Sequence, residues 1–287
     1  VSIDNFIPEI WASRLLSNLN KTLVFAQAGV VNRDYEGEIT GVGDSVRINN
    51  IGRVTVRDYT KNTDIVTPDD LQDATQVLNI DQQKYFNFQI DDVDKVQQKP
   101  KVMNEAMLES AYALANVLDQ YLAGLYTDAD TANALGSDGS PKTDLATAGT
   151  AYEHLVDLGV VLDEANVPED NRWAIVPPWY EGWLLKDQRF VSFGTAANRA
   201  NLQNRQIGFA AGFNVMKSNN VTNNGGSPAV SRVMAGHPMA MSLAVQFTEM
   251  IAYRPEKRFG DAIKGLQVWG AKVVRSNALA VLYAQRA

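Results

Sequence analysis

Residues 101–126 (KVMNEAMLESAYALANVLDQYLAGLY) constrain this chain more than any other stretch. Apolar residues recur at Met103, Met107, Leu114, Leu118, Tyr121 and Leu125, at steps of three, four or seven. That spacing puts them on one face of a helix with about 3.6 residues per turn. Glu105, Glu109, Asn116 and Asp119 fall off the stripe. Pro100 stands at the entry, where a missing N–H costs no intrahelical bond, and Gly124 with the polar run after it marks the exit. At about 1.5 Å per residue the segment makes a rod of about 39 Å. Such a rod suits a backbone on which other layers pack. The plainer alternative is the core helix of an ordinary α+β enzyme, and the flanking segments decide between the two.

The chain has 287 residues, enough for two domains or for one with large extensions. Hydrophobic residues at 45% and charged residues at 21% match a globular composition. There is no cysteine, which excludes disulfides, thiol chemistry and Cys-based metal sites, and leaves His154 and His237 as the two imidazoles. No apolar run approaches the roughly 18 residues of a membrane-crossing helix, so no membrane partner is expected. The opening VSIDNFIPEIWASRLL has neither the basic start nor the apolar centre of a secretory signal. Net charge is −7 and Lys and Arg form no cluster, so base-specific DNA recognition, which needs phosphate-neutralising cations, is not expected.

Residues 1–35 read as an arm rich in large apolar side chains: Phe6, Ile7, Ile10, Trp11, Leu15, Leu16 and Leu19. Such a terminus needs a surface to lie on, its own or a neighbour's. Residues 38–95 are β-rich. Val46 and Ile48 alternate with Ser45 and Arg47, Val54 and Val56 with Thr55 and Arg57, and Phe86, Phe88 and Ile90 with Tyr85, Asn87 and Gln89. Alternation of period two marks half-buried strands. Between them the polar run DYTKNTDIVTPDDLQD, with Pro68, makes a loop tip. Strands that leave and return around such a tip form a long antiparallel arm, which requires docking for stability.

After the helix, residues 127–150 are small and polar, a surface loop. Residues 151–250 read as an α/β unit. Ala151, Leu155, Leu158, Leu162 and Ala165 share a helical face, residues 172–176 form a buried strand stopped by Pro177 and Pro178, and residues 179–188 form a helix. Residues 213–217 read as a strand, 223–228 as a tight loop and 238–246 as a short helix. Leu266, Val268 and Gly270 alternate with Gln267, Trp269 and Ala271, and residues 279–283 are an apolar strand. No repeat of 20–50 residues is present.

Groups for chemistry are sparse. GVGDS at residues 41–45 lacks both the third glycine of a dinucleotide loop and the lysine of a phosphate loop. Asp128, Asp130 and Asp138 do not have calcium-loop spacing and read as turn residues. His154 lies beside its helix's apolar stripe and reads as a surface residue; His237 lies in a turn, and neither accompanies a nucleophile elbow. Adjacent acids such as Asp163 and Glu164 read as solvated caps. No catalytic residue, cofactor or metal is expected. An apolar arm, a long β arm, one dominant helix and few catalytic groups point to a protein that uses extensions to hold its neighbours.

Several stretches also carry a family likeness: FIPEIW at 6–11, NRDYEG at 32–37, GDSVRI at 43–48, RWAIVPP at 172–178, GFNV at 212–215, AYRPEKRF at 252–259 and GLQVWGAKV at 265–273. In their order and spacing, across nearly the whole chain, the sequence resembles the major capsid proteins of tailed bacteriophages with the Hong Kong-97 type of fold. The resemblance implies an α+β capsid fold in four parts. These are an N-terminal arm (1–35), an extended loop (36–97), a peripheral domain with the long spine helix (98–145 and 251–287) and an axial domain (146–250). The subunit-interface candidates are then Phe6, Ile10, Trp11 and Leu15 in the arm and Val54, Val56, Tyr59, Lys61, Phe86 and Phe88 in the loop.

The implied function is self-assembly into hexamers and pentamers of an icosahedral shell around a double-stranded DNA genome. The implied partners are further copies of the chain in capsomers and shell, a portal protein, a separate scaffolding protein (no scaffolding segment precedes the arm), a decoration protein, and packaged DNA held non-specifically. The location is the virion capsid, assembled in the host bacterial cytoplasm. In the founding member of the fold Lys and Asn side chains cross-link; Lys61, near the loop tip, is the first candidate for such a lysine. The alternative within the same fold is an encapsulin-like shell of a cellular nanocompartment. A hydrolase of unrelated α+β fold ranks last, for want of a nucleophile–base pair.

Overall fold

The structure is a computed structural model and describes residues 24–34, 45–51, 58–59, 61–62, 64, 73–91, 102–142, 150–187, 208–257 and 259–286. The first strands, β1 (Ser45–Ile51) and β2 (Asp73–Asn79), pair antiparallel from Ser45↔Asn79 to Ile51↔Asp73. Val46 and Ile48 are buried while Ser45 and Arg47 are exposed, the alternation that period two demands. After Ile80 and Asp81 the chain enters β3 (Gln82–Asp91). The long helix α1 (Val102–Gly124) follows and ends in a 3₁₀ turn at Leu125–Asp128. Its predicted stripe is buried at Met107, Leu114 and Leu118, with Ala111, Ala115 and Leu122 beside it. Asp119, expected off the stripe, is buried as well.

The chain then forms β4 (Ala134–Leu135), α2 (Thr150–Glu164), β5 (Trp173–Val176) and α3 (Pro178–Lys186). Pro178 occupies the first turn of α3, where proline is accommodated. Asn166, with φ of 57°, closes α2 in the left-handed conformation that asparagine tolerates. The short strands β6 (Gly208–Ala210) and β7 (Phe213–Lys217) are joined by Ala211 and Gly212, whose φ values of 50° and 83° make the tight turn that suits strand twist. The remaining strands are β8 (Val230–Gly236), β9 (Met241–Tyr253), β10 (Gly260–Val273) and β11 (Leu279–Gln285).

These strands form a hairpin and two larger sheets. β1 and β2 stand as a two-stranded ribbon, β3-β10-β9 form an antiparallel sheet, and six strands are ordered β4-β11-β8-β5-β7-β6. Every residue of β5 and β8 is buried, as is most of β11. Apolar runs of this kind belong in strands covered on both faces. One large cluster of buried side chains joins α1, α2, α3 and both larger sheets, and includes Leu118, Leu155, Trp173, Tyr180, Val233, Trp269 and Leu282.

Two expectations change. Residues 238–246 contain one 3₁₀ turn, Pro238–Ala240, and then β9, not a helix. Pairing of Met241↔Val273 through Val245↔Trp269 outweighs the weak helical preference of small residues. His154 is buried at 6% exposure rather than lying on the surface, because α2 is covered on the side next to its stripe as well. Residues 251–287 contribute to both larger sheets: β9 and β10 share a sheet with β3, and β11 enters the six-stranded sheet. β11 is apolar on both faces and takes an inner place, between β4 and β8.

Candidate assembly surfaces

A two-stranded ribbon is marginal by itself in water, so the β1–β2 hairpin needs an attachment. It has one at its root. Val46, Ile48, Leu78 and Ile80 form a small buried cluster with Ala244 of β9 and Val268 of β10, separate from the main core. Two polar contacts pin β2 beside this cluster. The Gln76 side-chain amide donates to the Val274 carbonyl at 3.1 Å, and the Lys272 ammonium donates to the Val77 carbonyl at 3.0 Å. The root is docked by both apolar burial and hydrogen bonds, and the ribbon extends from there toward residues 52–72.

A second junction lies on α1. One Asp119 carboxylate oxygen accepts the backbone N–H of Val24 at 3.1 Å and of Phe25 at 2.8 Å. The other accepts the Asn220 amide at 3.0 Å and the Ser218 hydroxyl at 3.4 Å. Asp119 is 3% exposed, so burial of its charge is compensated by these four donors. It fastens the segment that follows residues 1–23 to the helix and to the loop after β7.

Of the sequence-predicted interface residues, Phe6, Ile10, Trp11, Leu15, Val54 and Val56 lie outside the described residues. Tyr59 is 72% exposed and Lys61 is exposed. Phe86 and Phe88 are brought together: their rings stack at 6.0 Å and pack against the main core, so most of their surface is used within the chain. Four exposed aromatics were missed among the described residues: Tyr85, Tyr112, Phe209 and Phe259, the last at 84% exposure. Tyr85 was within reach of the sequence, since it alternates with Phe86 and must face the other way. It borders a hollow of about 230 Å³ with Ile251, Lys264, Gly265 and Leu266. Nearby, the Lys264 ammonium lies 5.2 Å from the Tyr253 ring centre, and the Asn87 amide donates to the Tyr253 hydroxyl at 3.2 Å.

The titratable groups singled out in the sequence make contacts within the fold. His154 Nδ1 is 3.4 Å from the Asp157 carboxylate, one turn along α2. His237 accepts the Met239 N–H on Nδ1 at 3.2 Å and caps the 3₁₀ turn. Removal from water and the nearby Arg172 charge push its pKa below the ordinary value, against a hydrogen bond to the Asp170 backbone. Asp138 binds Arg232 with both oxygens, at 2.8 and 3.0 Å, and that guanidinium lies over the Tyr126 ring at 4.7 Å. Asp163 pairs with the buried Arg172 at 2.7 Å. Among the described residues no group of three or more His, Asp and Glu is placed to hold a metal ion, and no helix is long and apolar enough to cross a membrane.

The comparisons with known proteins agree with this architecture. A sequence model of the family described as phage capsid protein matches residues 75–284. A solved structure from Mycobacterium phage Che8 is 30% identical, with 91% of this chain and 90% of that chain covered at a TM-score of 0.73. The capsid structure of cyanophage P-SCSP1u aligns at a TM-score of 0.70 with 19% identity, covering 92% of this chain and 89% of that one. The capsid of Ralstonia phage GP4 aligns at 0.69 with 13% identity, covering 93% and 90%. No curated protein matches the chain by sequence. The fold is the tailed-phage capsid fold of the Hong Kong-97 type, and the encapsulin-like alternative is less favoured because the matching family model is that of phage capsid proteins. The chain belongs to the phage capsid protein family and is a major capsid protein, the self-assembling subunit of the virion shell.

Proposed function

We propose that the subunit builds its shell by lending two extensions to neighbouring copies: the arm at 1–35 and the ribbon continued by residues 52–72. The observation that carries this is the separateness of the hairpin. None of its described side chains enters the main core, and it stands on the body through a separate six-residue cluster shared with β9 and β10. A body that is complete without the ribbon leaves it available for contacts between copies. The peripheral part is then α1 with the β3-β10-β9 sheet, and the axial part is the six-stranded sheet with α2 and α3. The loop so defined is shorter than 36–97, since β3 is a member of a body sheet.

On this reading the copies form hexamers and pentamers of an icosahedral shell around double-stranded DNA. Contacts of this head-to-tail kind close into rings when the rotation between copies permits. A net charge of −7 supports a wall that holds packaged DNA non-specifically and lets it slide. The other partners are a portal protein, a scaffolding protein and a decoration protein, with assembly in the host bacterial cytoplasm and no catalytic role. The test is to replace residues 52–72 by a short Gly-Ser bridge, leaving β1, β2 and β3 intact. The expected product is a folded protein that forms no closed shells by electron microscopy. Shells of normal diameter from this deletion overturn the role assigned to the loop.

A further inference from the structure

The corner where the hairpin meets the body is closed over one glycine. β3 pairs with β10 as far as Gln82↔Trp269. The chain just before β3, Asn79-Ile80-Asp81, crosses β10 at the next residue, Gly270. A Cβ on Gly270 would lie 2.2 Å from the Asn79 carbonyl oxygen, 3.0 Å from its carbon and 3.0 Å from Ile80 Cα. All three neighbours are backbone atoms. Gly270 does not have the left-handed φ that favours glycine, so what the position requires is the absence of a side chain. Gly265, five residues earlier on β10, is different: a Cβ there meets the Phe86 ring, a side chain that can turn.

The same corner carries the two pins described above, Gln76 to Val274 and Lys272 to Val77, on the stretch of chain just past Gly270. The burial of Leu78 and Ile80, each 1% exposed or less, locks the corner from the other side. From these contacts we infer that Gly270, Gln76 and Lys272 form a seat that fixes the direction in which the ribbon leaves the body, and that this direction sets the closure of the shell. The inference rests on the proposal that the ribbon reaches a neighbouring copy.

Leverage connects the corner to the shell. A methyl at position 270 forces the Asn79 carbonyl back by about 1 Å, since packed backbone does not compress. The paired strands are about 23 Å long at about 3.3 Å per residue, so a small tilt at the root becomes a large displacement at the far end. In a head-to-tail assembly, the angle between copies decides whether a ring closes, closes at another size or stays open. Gly270 is thus a positioning residue for assembly.

The experiment compares Gly270→Ala, the double variant Gln76→Leu/Lys272→Met, and Gly265→Ala with the wild type, under conditions in which the wild type forms shells. Three quantities are read: the unfolding transition of the unassembled protein, amide exchange at Val77, Leu78 and Ile80, and the shell diameter distribution. Gly270→Ala is expected to keep a cooperative unfolding transition, raise exchange at the corner and yield open or mis-sized assemblies. The double variant adds no volume, so it tests the seat even if Gly270→Ala fails to fold; it is expected to broaden the diameter distribution. Gly265→Ala is expected to lower stability without changing shell diameter. Shells of wild-type diameter from a folded Gly270→Ala, or from the double variant, overturn the inference. The 52–72 deletion separates the two levels: if it also gives normal shells, the ribbon's role fails; if it blocks shells while the seat variants assemble normally, only the seat fails.

Discussion

The Phe25 backbone N–H donates to the Asp119 carboxylate at 2.8 Å, joining the first described segment of the chain to the C-terminal half of the long helix. Asp119→Ala removes the acceptor for Val24, Phe25 and Asn220 at once. A buried donor left without its acceptor costs about 1–3 kcal/mol, so a total loss of about 3 kcal/mol is expected after partial relaxation. Asp119→Asn keeps one carbonyl oxygen and is expected to cost about half as much. Denaturant unfolding of the unassembled protein gives the loss, and faster amide exchange at Val24 and Phe25 gives its location. Unchanged exchange there means that Asp119 does not hold this segment.

Arg172 separates a cage from an ion pair. Its guanidinium donates to the carbonyls of Val167 at 2.6 Å, Pro168 at 2.8 Å and Gly159 at 3.5 Å, while its charge partner Asp163 is 54% exposed. A half-exposed pair is worth less than about 1 kcal/mol, so the carbonyl cage dominates. Lysine keeps the charge but cannot span three carbonyls with one ammonium. Arg172→Lys is therefore expected to cost about 2 kcal/mol and Asp163→Asn less than about 1 kcal/mol. The reverse order in thermal or denaturant unfolding means that the ion pair, not the cage, holds the α2–β5 connection.

How far the sequence foretold all this depends on the range of the forces involved. Val46 with Ile48, and Phe86 with Phe88, were legible because period two is a local signal. The stripe Met107, Leu114 and Leu118 was legible for the same reason at helical period. Asp119 was not, because the donors that justify its burial lie 94 and 101 positions away. His154 was misplaced because burial beside a stripe depends on which neighbour covers the helix edge. The first half of β9, residues 241–246, was hidden by its small residues, and its pairing with β10 is a tertiary fact. Gly270 was visible as part of an alternating strand, but its need for empty space shows only when Asn79 crosses it. Of the ten interface candidates, the six at residues 6–15 and 54–56 lie outside the described residues. Phe86 and Phe88 turned inward because aromatic residues with strand alternation satisfy an internal core as well as an external one.

Gln267 offers a gain in stability. Its side chain is fully buried where the β9–β10 register shifts between Leu266 and Gln267, and neither amide atom has a hydrogen-bond partner among the described residues. A buried amide without partners costs more than an apolar side chain of similar volume. Gln267→Leu is expected to stabilise the unassembled protein by about 1 kcal/mol and to raise its thermal midpoint. A drop in midpoint means that a bound water satisfies the amide, and an ordered-water density beside Gln267 in an experimental map then identifies it.

His237 makes stability depend on pH with a definite sign. Its folded-state pKa lies below the ordinary value of about 6.5, chiefly because it is withdrawn from water and secondarily because Arg172 is near. Its Nδ1 also accepts the Met239 N–H, which requires a neutral ring atom. Below about pH 6.5 the unfolded chain therefore takes up a proton that the folded chain resists. More protons on the unfolded state mean that stability falls as pH falls through this window, and stops falling below the folded pKa. Above about pH 7.5 both states are neutral at this site and the contribution vanishes. His237→Asn does not titrate and keeps a side-chain acceptor at the cap of the 3₁₀ turn. The wild type is expected to lose more unfolding free energy than His237→Asn between pH 7.5 and 5.5, measured in parallel denaturant titrations. His154 and the carboxylates are common to both proteins and cancel in the difference. Parallel pH profiles mean that the ring accepts a proton as easily in the folded chain as in the unfolded one, and that the Met239 contact does not hold it neutral.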